Sequence, residues 1–226
     1  MKVGVNMLDS TNVSRRALLQ ASAAGACALA LGGTALAASQ ACADEHPQSS
    51  TQKPEQYGFL VGLNRCTGCG RCVEACRRGN KLTDDTPDRR VISTYTRTRG
   101  KSFYISTACM HCEDPSCMKV CPAGAISKDE RGIVRVDPKR CIGCKYCYQA
   151  CPYDVPQYNS ISMDKCDCCI GSGITAGEDP YCVRACKFGA LKFGPIEELK
   201  ASVNNEAVPI AEPNNPSCIV LGTSKG

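Results

Sequence analysis

The stretch RCTGCGRCVEAC, residues 65–76, spaces four cysteines by two, two and three residues. They are Cys66, Cys69, Cys72 and Cys76. The stretch CIGCKYCYQAC, residues 141–151, repeats this spacing at Cys141, Cys144, Cys147 and Cys151. A tight, glycine-containing loop with a thiolate at every third position can wrap one face of a compact metal centre. These two stretches therefore decide which kind of fold the chain can adopt.

Two further runs keep the beginning and the end of this pattern. One contains Cys109, Cys112, Cys117 and Cys121, and the other contains Cys166, Cys169, Cys182 and Cys186. Each run opens with a pair separated by two residues and closes with a pair separated by three. Four related runs indicate internal repetition of one ligand pattern.

The chain has 20 Cys and 2 His in 226 residues, and three kinds of cysteine-rich protein have to be separated. Zinc sites use two Cys pairs per metal, so the third and fourth Cys of each run would be surplus. Disulfides remain an alternative for an exported protein. In two-cluster ferredoxins the fourth Cys of such a run binds the partner cluster. The spacing therefore predicts four [4Fe–4S] clusters in two cross-ligated pairs.

Residues 1–43 have the order of an export signal: a basic region, an apolar stretch and then small residues. Arg15 and Arg16 resemble the twin-arginine motif, although Leu18 and Gln20 replace its usual aromatic residue and Lys. That route carries folded proteins with their cofactors, which argues against a disulfide scaffold. We expect export to the periplasm or to the outer face of the cytoplasmic membrane.

The sequence leaves open where the signal is cleaved and whether it is retained as an anchor. Cleavage fits after Ala37 or after Ala43, and retention as a transmembrane or Cys42-linked lipid anchor is an alternative. Residues 44–56 are polar and predict a flexible linker. No later segment is apolar for long enough to cross a bilayer, so the mature chain is not expected to span the membrane.

The net charge is +5, but no dense basic run suggests a nucleic-acid partner. Residues 89–101, RRVISTYTRTRGK, are typical of a strand pair with a solvated basic face. The excess of Lys and Arg fits compensation for buried cluster charge. No nucleophile motif, phosphate loop or dinucleotide fingerprint stands out, so no catalytic residue is predicted.

Three segments, CIGCKYCYQACPYDVPQY (141–158), KCDCC (165–169) and CVRACKFGALKFGPIEEL (182–199), carry a family resemblance. They resemble the iron–sulfur (electron-transfer, beta) subunit of dimethyl sulfoxide reductase-type molybdopterin oxidoreductases. The resemblance implies an α+β fold of duplicated bacterial-type, two-[4Fe–4S] ferredoxin-like domains with short strands, short helices and long loops.

The domain organisation follows from that likeness. The four-cluster domain would occupy 57–200, with an outer pair from 57–76 and 166–199 and an inner pair from 102–158. Residues 201–226 would form a polar C-terminal tail. We expect strands at 57–63, 132–136 and 190–193, a hairpin within 77–108 that joins the two pairs, a helix at 195–201, and short helices carrying the fourth Cys of each run.

The resemblance also implies which cysteines share a cluster. The outer pair would use Cys66, Cys69, Cys72 and Cys186 for one cluster, and Cys76, Cys166, Cys169 and Cys182 for the other. The inner pair would use Cys109, Cys112, Cys117 and Cys151 for one cluster, and Cys121, Cys141, Cys144 and Cys147 for the other. Some relatives have Trp where this chain has Cys144 and carry a three-iron cluster, so Cys144 favours the all-[4Fe–4S] form.

The function implied is that of a non-catalytic electron-transfer subunit. It would relay electrons between a quinol-interacting membrane anchor subunit and a molybdopterin-containing catalytic subunit. The alternatives are a free-standing exported ferredoxin-like carrier, or the equivalent subunit of a formate dehydrogenase, tetrathionate/polysulfide reductase or nitrite reductase-type complex. A structural zinc protein is the rival from a different class.

Some cysteines and one histidine are left outside the ligand groups. Cys27 and Cys42 fall within the signal. Cys168 stands where the family usually has Gly, and we interpret it as a spectator thiol, with an alternative ligand as the other reading. Cys218 is expected to be a free thiol in the polar tail, and His111 a donor near a cluster or a surface residue.

Overall fold

The structure is a computed structural model, and it describes residues 55–96, 100, 102–211 and 213–222. The predicted export signal, with Cys27 and Cys42, and the linker up to residue 54 lie outside the described residues. Gln56, which falls within the predicted linker, is held by the fold. Its side-chain amide donates to the backbone oxygens of His111 at 2.9 Å and Gly132 at 3.2 Å.

Short helices follow the opening cysteine pair of each run. They are α1 (Arg71–Gly79), α2 (Ser116–Lys119), α3 (Tyr146–Ala150) and α4 (Tyr181–Arg184), followed later by α5 (Ile196–Ala201), and a 3₁₀ turn at Ile170–Ser172 precedes α4. Helices α1 to α4 contain the third Cys of each run. The prediction that they carry the fourth Cys holds for Cys76 alone. Cys121, Cys151 and Cys186 lie just beyond their helices, where the chain already turns away.

The strands are short and form four separate sheets. They are β1 (Tyr57–Gly62), β2 (Val91–Thr96), β3 (Ser102–Thr107), β4 (Ile126–Lys128), β5 (Val134–Val136), β6 (Gln157–Tyr158), β7 (Met163–Asp164), β8 (Leu191–Pro195), β9 (Val208–Pro209) and β10 (Cys218–Leu221). One sheet has the order β8–β1–β10–β9, and β2–β3, β4–β5 and β6–β7 are two-stranded. The strands expected near 57–63, 132–136 and 190–193, the hairpin and the helix near 195–201 are confirmed.

Strand β1 is the centre of the larger sheet, antiparallel to β8 and parallel to β10. Because strand side chains alternate between faces, Phe59 and Val61 pack into the cysteine-rich core while Leu60 packs against α5. Each of these buried side chains stabilises the fold by about 1.5–3 kcal/mol relative to exposure. The strand therefore ties the first cysteine run to the end of the chain.

The expectation of a polar tail from residue 201 is wrong for its central part. Strand β10 pairs with β1, with Phe59 opposite Cys218, and strand β9 closes the sheet edge. Cys218 is buried in the core, not exposed in a tail. This strand needs only the four apolar residues CIVL, because β1 supplies its backbone hydrogen-bond partners.

The hairpin β2–β3 has the predicted position, but its basic face is not wholly solvated. Arg90 is buried, and Arg89 forms a two-pronged ion pair with Asp164 at 2.7 and 2.8 Å. His111, for which a surface position was one expectation, is fully buried. None of the described helices has the length and apolar character that crossing a membrane requires.

Candidate metal centres

The structure brings the sixteen predicted ligand cysteines together in the four groups that the resemblance implies. We name them site 1 (Cys66, Cys69, Cys72, Cys186), site 2 (Cys76, Cys166, Cys169, Cys182), site 3 (Cys109, Cys112, Cys117, Cys151) and site 4 (Cys121, Cys141, Cys144, Cys147). Binding of a cluster by each group stays a prediction. The grouping itself follows from loops that are far apart in sequence.

Site 1 surrounds a partly open hollow whose remaining walls include Ser106 and Leu191. The loop needs a left-handed residue at Gly68, where φ is 70° and an added Cβ would lie 2.6 Å from the Tyr104 ring. Burial raises the pKa of Cys66, and the other thiols of the site raise it further. Cys69 is exposed, so site 1 reaches the protein surface.

Site 2 is the most enclosed group, because all four of its cysteines are buried. Burial raises the pKa of Cys76, followed by the effects of the Cys166, Cys182 and Cys169 thiols. The side-chain amide of Asn80 donates to the sulfur of Cys169 at 3.4 Å and approaches that of Cys76 at 3.7 Å. One donor thus serves two thiols from runs that lie far apart along the chain.

Site 3 surrounds a hollow that Tyr153 and Lys165 also line. Burial, together with the neighbouring thiols of the site, raises the pKa of Cys112 to about 12. Burial likewise raises the pKa of Cys117 to about 11. The positive charge of Lys165 acts in the opposite direction on the pKa values of Cys109 and Cys117.

Site 4 surrounds a hollow that Ile126, Met163 and Tyr158 also line. The backbone N–H of Met163 donates to the sulfur of Cys141 at 3.4 Å, and the Tyr158 hydroxyl lies 3.1 Å from the sulfur of Cys147. Cys144 is exposed, so this site also reaches the surface.

Buried, clustered thiols suit a metal centre. Burial first, and then the neighbouring thiols, raise the pKa values of Cys76, Cys112 and Cys117. Metal binding requires thiolates, and positive metal ions offset both effects. Sites 1, 3 and 4 each surround a hollow with four sulfurs on its wall, which is the donor set of a compact metal centre. Two nitrogens of the buried Arg90 also lack a hydrogen-bond partner among the described residues, as expected where a further acceptor belongs. The residues fit iron–sulfur clusters.

Comparison with known proteins gives the same chemistry. Two family models, both described as 4Fe-4S dicluster domains, match residues 100–196 and 65–125. The B subunit of the anaerobic dimethyl sulfoxide reductase of Escherichia coli (strain K12) is 45% identical over 157 residues, which cover 64% of this chain and 76% of the relative. Its counterpart in Haemophilus influenzae is 40% identical over 186 residues, covering 74% of this chain and 89% of the relative.

The chain belongs to the dimethyl sulfoxide reductase-type iron–sulfur subunit family. The family also reaches beyond one reductase: the thiosulfate reductase electron transfer subunit of Salmonella typhi is 39% identical over 153 residues, 63% of this chain and 78% of that one. The resemblance seen in residues 141–199 is thereby confirmed. Membership makes the chain an iron–sulfur protein with [4Fe–4S] clusters.

This family member has a buried thiol that the ligand groups do not use. The sulfur of Cys168 lies 3.2 Å from Nε2 of His111, and the backbone N–H of Cys168 donates to the sulfur of Cys166 at 3.4 Å. Cys168 has a left-handed φ of 56°, which explains why Gly suits the position. His111, Cys166 and Cys168 are close enough to share a metal ion, but Cys166 is already part of site 2.

Two buried cations near the sites are not predicted by the sequence. Arg90 falls in the stretch expected to be a solvated basic face, and Lys165 stands in the KCDCC segment without a predicted role. Both are buried among cysteines of different sites. Lys165 directly precedes Cys166, which is a weak signal because a residue next to a ligand can also be exposed. Arg90 directly precedes strand β2 and has no cysteine near it in sequence, so nothing in its local sequence indicates burial.

Proposed function

We propose that this chain is the electron-transfer subunit of a dimethyl sulfoxide reductase-type respiratory complex, with four [4Fe–4S] clusters held at sites 1 to 4. In detail, it would have the duplicated α+β ferredoxin-like arrangement and would connect a molybdopterin catalytic subunit with a quinol-linked membrane subunit. A [4Fe–4S] cluster supplies reversible one-electron transfer when bound. The protein residues hold the clusters, exclude water and set the order of the sites.

The observation that carries this proposal is the serial arrangement of the four sites. Cys72 of site 1 and Cys76 of site 2 lie one turn apart on α1, which links the outer two sites. The buried Lys165 lies beside Cys166 of site 2 and Cys109 of site 3. The third run links site 4 to site 3 in the same manner as α1, because Cys147 and Cys151 belong to different sites. The order is therefore 1, 2, 3 and 4.

Exposure along this series fits a relay through the protein. Among the described cysteines, the exposed ones are Cys69 in site 1 and Cys144 in site 4. The thiols of site 2 are all buried, and those of site 3 are buried or half-buried. Electrons could thus enter and leave at the two ends of the series while the middle is protected from water.

The surfaces beside the two ends differ in their apolar character. Next to Cys144, the side chains of Ile142, Tyr146 and Tyr148 are 68%, 60% and 43% exposed. Exposed aromatic and aliphatic groups of this kind are enriched in the cores of protein interfaces. We assign the site 4 end to the membrane subunit and the site 1 end, where Phe188 is exposed, to the catalytic subunit.

Co-purification tests this proposal directly. The full chain, tagged at its C-terminus and isolated anaerobically from its host, is expected to bring a molybdopterin-containing subunit and a membrane subunit with it. Its clusters should be reduced by a quinol analogue in that preparation. A monomer recovered without either subunit, yet carrying reducible clusters, would instead support the free exported carrier.

The position of the chain outside the cytoplasm belongs to the same proposal. It rests on the paired Arg15 and Arg16 and on the apolar, small-residue stretch that follows them. A chain that is exported after folding could receive its clusters in the cytoplasm and function on the other side of the membrane.

A further inference from the structure

Two cations are buried inside the cysteine-rich part of the protein. Arg90 is 2% exposed and Lys165 is 3% exposed, and the other Lys and Arg residues that the structure describes are more accessible. A buried charge is costly unless opposite charge or hydrogen-bond acceptors surround it. No carboxylate among the described residues forms an ion pair with either of them.

Two kinds of contact hold the Arg90 side chain: hydrogen bonds from one guanidinium nitrogen and a cation–π contact with an aromatic ring. Its Nη1 donates to the backbone oxygen and to the hydroxyl of Ser106, both at 3.2 Å. Its guanidinium carbon lies 4.7 Å from the centre of the Phe59 ring. The Ser106 hydroxyl also lies 3.2 Å from the sulfur of Cys72, which brings the Arg90 head group close to site 1.

The remaining nitrogens of Arg90, Nε and Nη2, have no hydrogen-bond partner among the described residues. Leaving charged donors buried and unpaired costs more free energy than leaving neutral donors unpaired. The groups that act electrostatically on Arg90 are thiols of two sites: Cys182, Cys166 and Cys76 of site 2, and Cys72 of site 1. The unpaired donors therefore lie at the junction of sites 1 and 2, where sulfur is the available acceptor.

Lys165 has the corresponding place at the next junction. Its ammonium donates to the backbone oxygens of Val134 and, at 3.0 Å, Cys166. The thiols that act on its charge are those of Cys109 and Cys117 in site 3, of Cys166 in site 2, and of the neighbouring Cys168. One buried positive charge thus stands at each of the first two steps of the series.

We infer that Arg90 and Lys165 are fixed counter-charges that make the clusters on either side of them easier to reduce, and that Arg90 also donates its Nε and Nη2 hydrogens to sulfur at sites 1 and 2. This inference rests on the proposed function. Each added electron makes a cluster more negative, and a buried cation is poorly screened by water, so it stabilises the reduced form. Site 4 has no buried Lys or Arg beside it among the described residues and serves as the internal reference.

The first test is a potentiometric titration followed by electron paramagnetic resonance, on the full chain purified anaerobically with its accompanying subunits. Arg90→Met should shift the midpoints of the clusters at sites 1 and 2 to more negative potential and leave site 4 unchanged. Lys165→Met should shift sites 2 and 3 in the same direction. Arg90→Lys, which keeps the charge but loses the two unpaired donors, should shift sites 1 and 2 by less than Arg90→Met.

The matched control is Arg135→Gln, which removes one Arg from an exposed position on β5 and should move no midpoint. Unchanged midpoints in an iron-complete Arg90→Met or Arg90→Lys protein would overturn the inference. So would equal shifts at all four sites, because a general loss of packing would act on the whole molecule. A wild-type chain without reducible clusters would instead overturn the proposed function itself.

A second measurement detects the donated hydrogen bonds directly. Wild-type and Arg90→Lys proteins are labelled with arginine that carries ¹⁵N only in the guanidinium group, and pulsed electron paramagnetic resonance on the partly reduced proteins detects nitrogen coupled to the clusters. This label leaves out backbone nitrogens such as that of Arg71, which donates to the sulfur of Cys69. The inference predicts a guanidinium coupling at site 1 or site 2 that is lost in Arg90→Lys. A wild-type protein without this coupling, or a coupling that persists in Arg90→Lys, would contradict the direct donation by Arg90.

Discussion

The sulfur of Cys168 lies 3.2 Å from Nε2 of His111, in a buried position beside sites 2 and 3. Nδ1 of His111 accepts the backbone N–H of Val134 at 3.1 Å, so a neutral ring carries its proton on Nε2 and donates it to the thiol sulfur. Cys169, by contrast, shares the amide of Asn80 with Cys76. The two adjacent cysteines therefore have different hydrogen-bond partners: Cys168 has His111, and Cys169 has Asn80. Cys169 is the one that belongs to site 2.

Replacing Cys168 with Ser should therefore leave the number of iron atoms per chain unchanged, because His111 and not a cluster is its partner. The matched control is Cys169→Ser, which should reduce iron binding at site 2. Iron analysis of both proteins, purified side by side without oxygen, decides the matter. A loss of about four iron atoms in Cys168→Ser would make Cys168 a ligand.

Gly68 and Gly70 offer a matched pair of substitutions in the site 1 loop. Both have a left-handed backbone, with φ of 70° and 78°. An added Cβ at Gly68 would lie 2.6 Å from the ring of Tyr104, whereas nothing lies within 4 Å of the same position at Gly70. Gly68→Ala is therefore expected to displace the loop and to lower iron binding by about four atoms per chain.

Gly70→Ala should retain its iron and cost only the left-handed strain, about 1–2 kcal/mol. Iron content and the stability of the visible absorbance to heating measure the two effects separately. Equal iron content in both variants would show that contact with Tyr104 does not determine the loop.

Cys218 supplies a test of the corrected C-terminal segment. Ser at this position would bury a hydroxyl opposite Phe59 in the sheet, at an expected cost of about 1–3 kcal/mol, while the iron content stays the same. Cys218→Ala is the matched variant and should be less destabilising, because it buries no polar group. The midpoint of urea unfolding measures both, and a Ser variant as stable as wild type would contradict the buried position.

The export signal can be tested by changing Arg15 and Arg16 to Lys together. The proposal predicts that the chain then stays in the cytoplasmic fraction as a longer precursor, since the route reads the arginine pair. The iron content of the same double variant is the control: it should equal that of the wild type, because the substitutions affect export and not cluster binding. Continued appearance of the shorter form outside the cytoplasm would remove the twin-arginine assignment.

Cysteine spacing predicted four clusters in two cross-ligated pairs, because ligands such as Cys66, Cys69 and Cys72 are close in sequence and are repeated. The family resemblance, and not the spacing, implied which cysteines form each site. It could not locate β10, whose stability depends on Phe59 far away in the chain. Arg90 was missed for a similar reason: a basic residue in a strand-like stretch is usually solvated, and only the packing of Phe59 and Ser106 around it shows otherwise. Local patterns predicted ligands, and long-range packing determined their surroundings.

The count of iron and acid-labile sulfide in the anaerobically purified chain tests the central claim most directly. Four [4Fe–4S] clusters on sixteen cysteines predict about 16 iron atoms and about 16 sulfides per chain, with no stoichiometric zinc. A colourless protein with zinc and a sulfide content near zero would contradict the account.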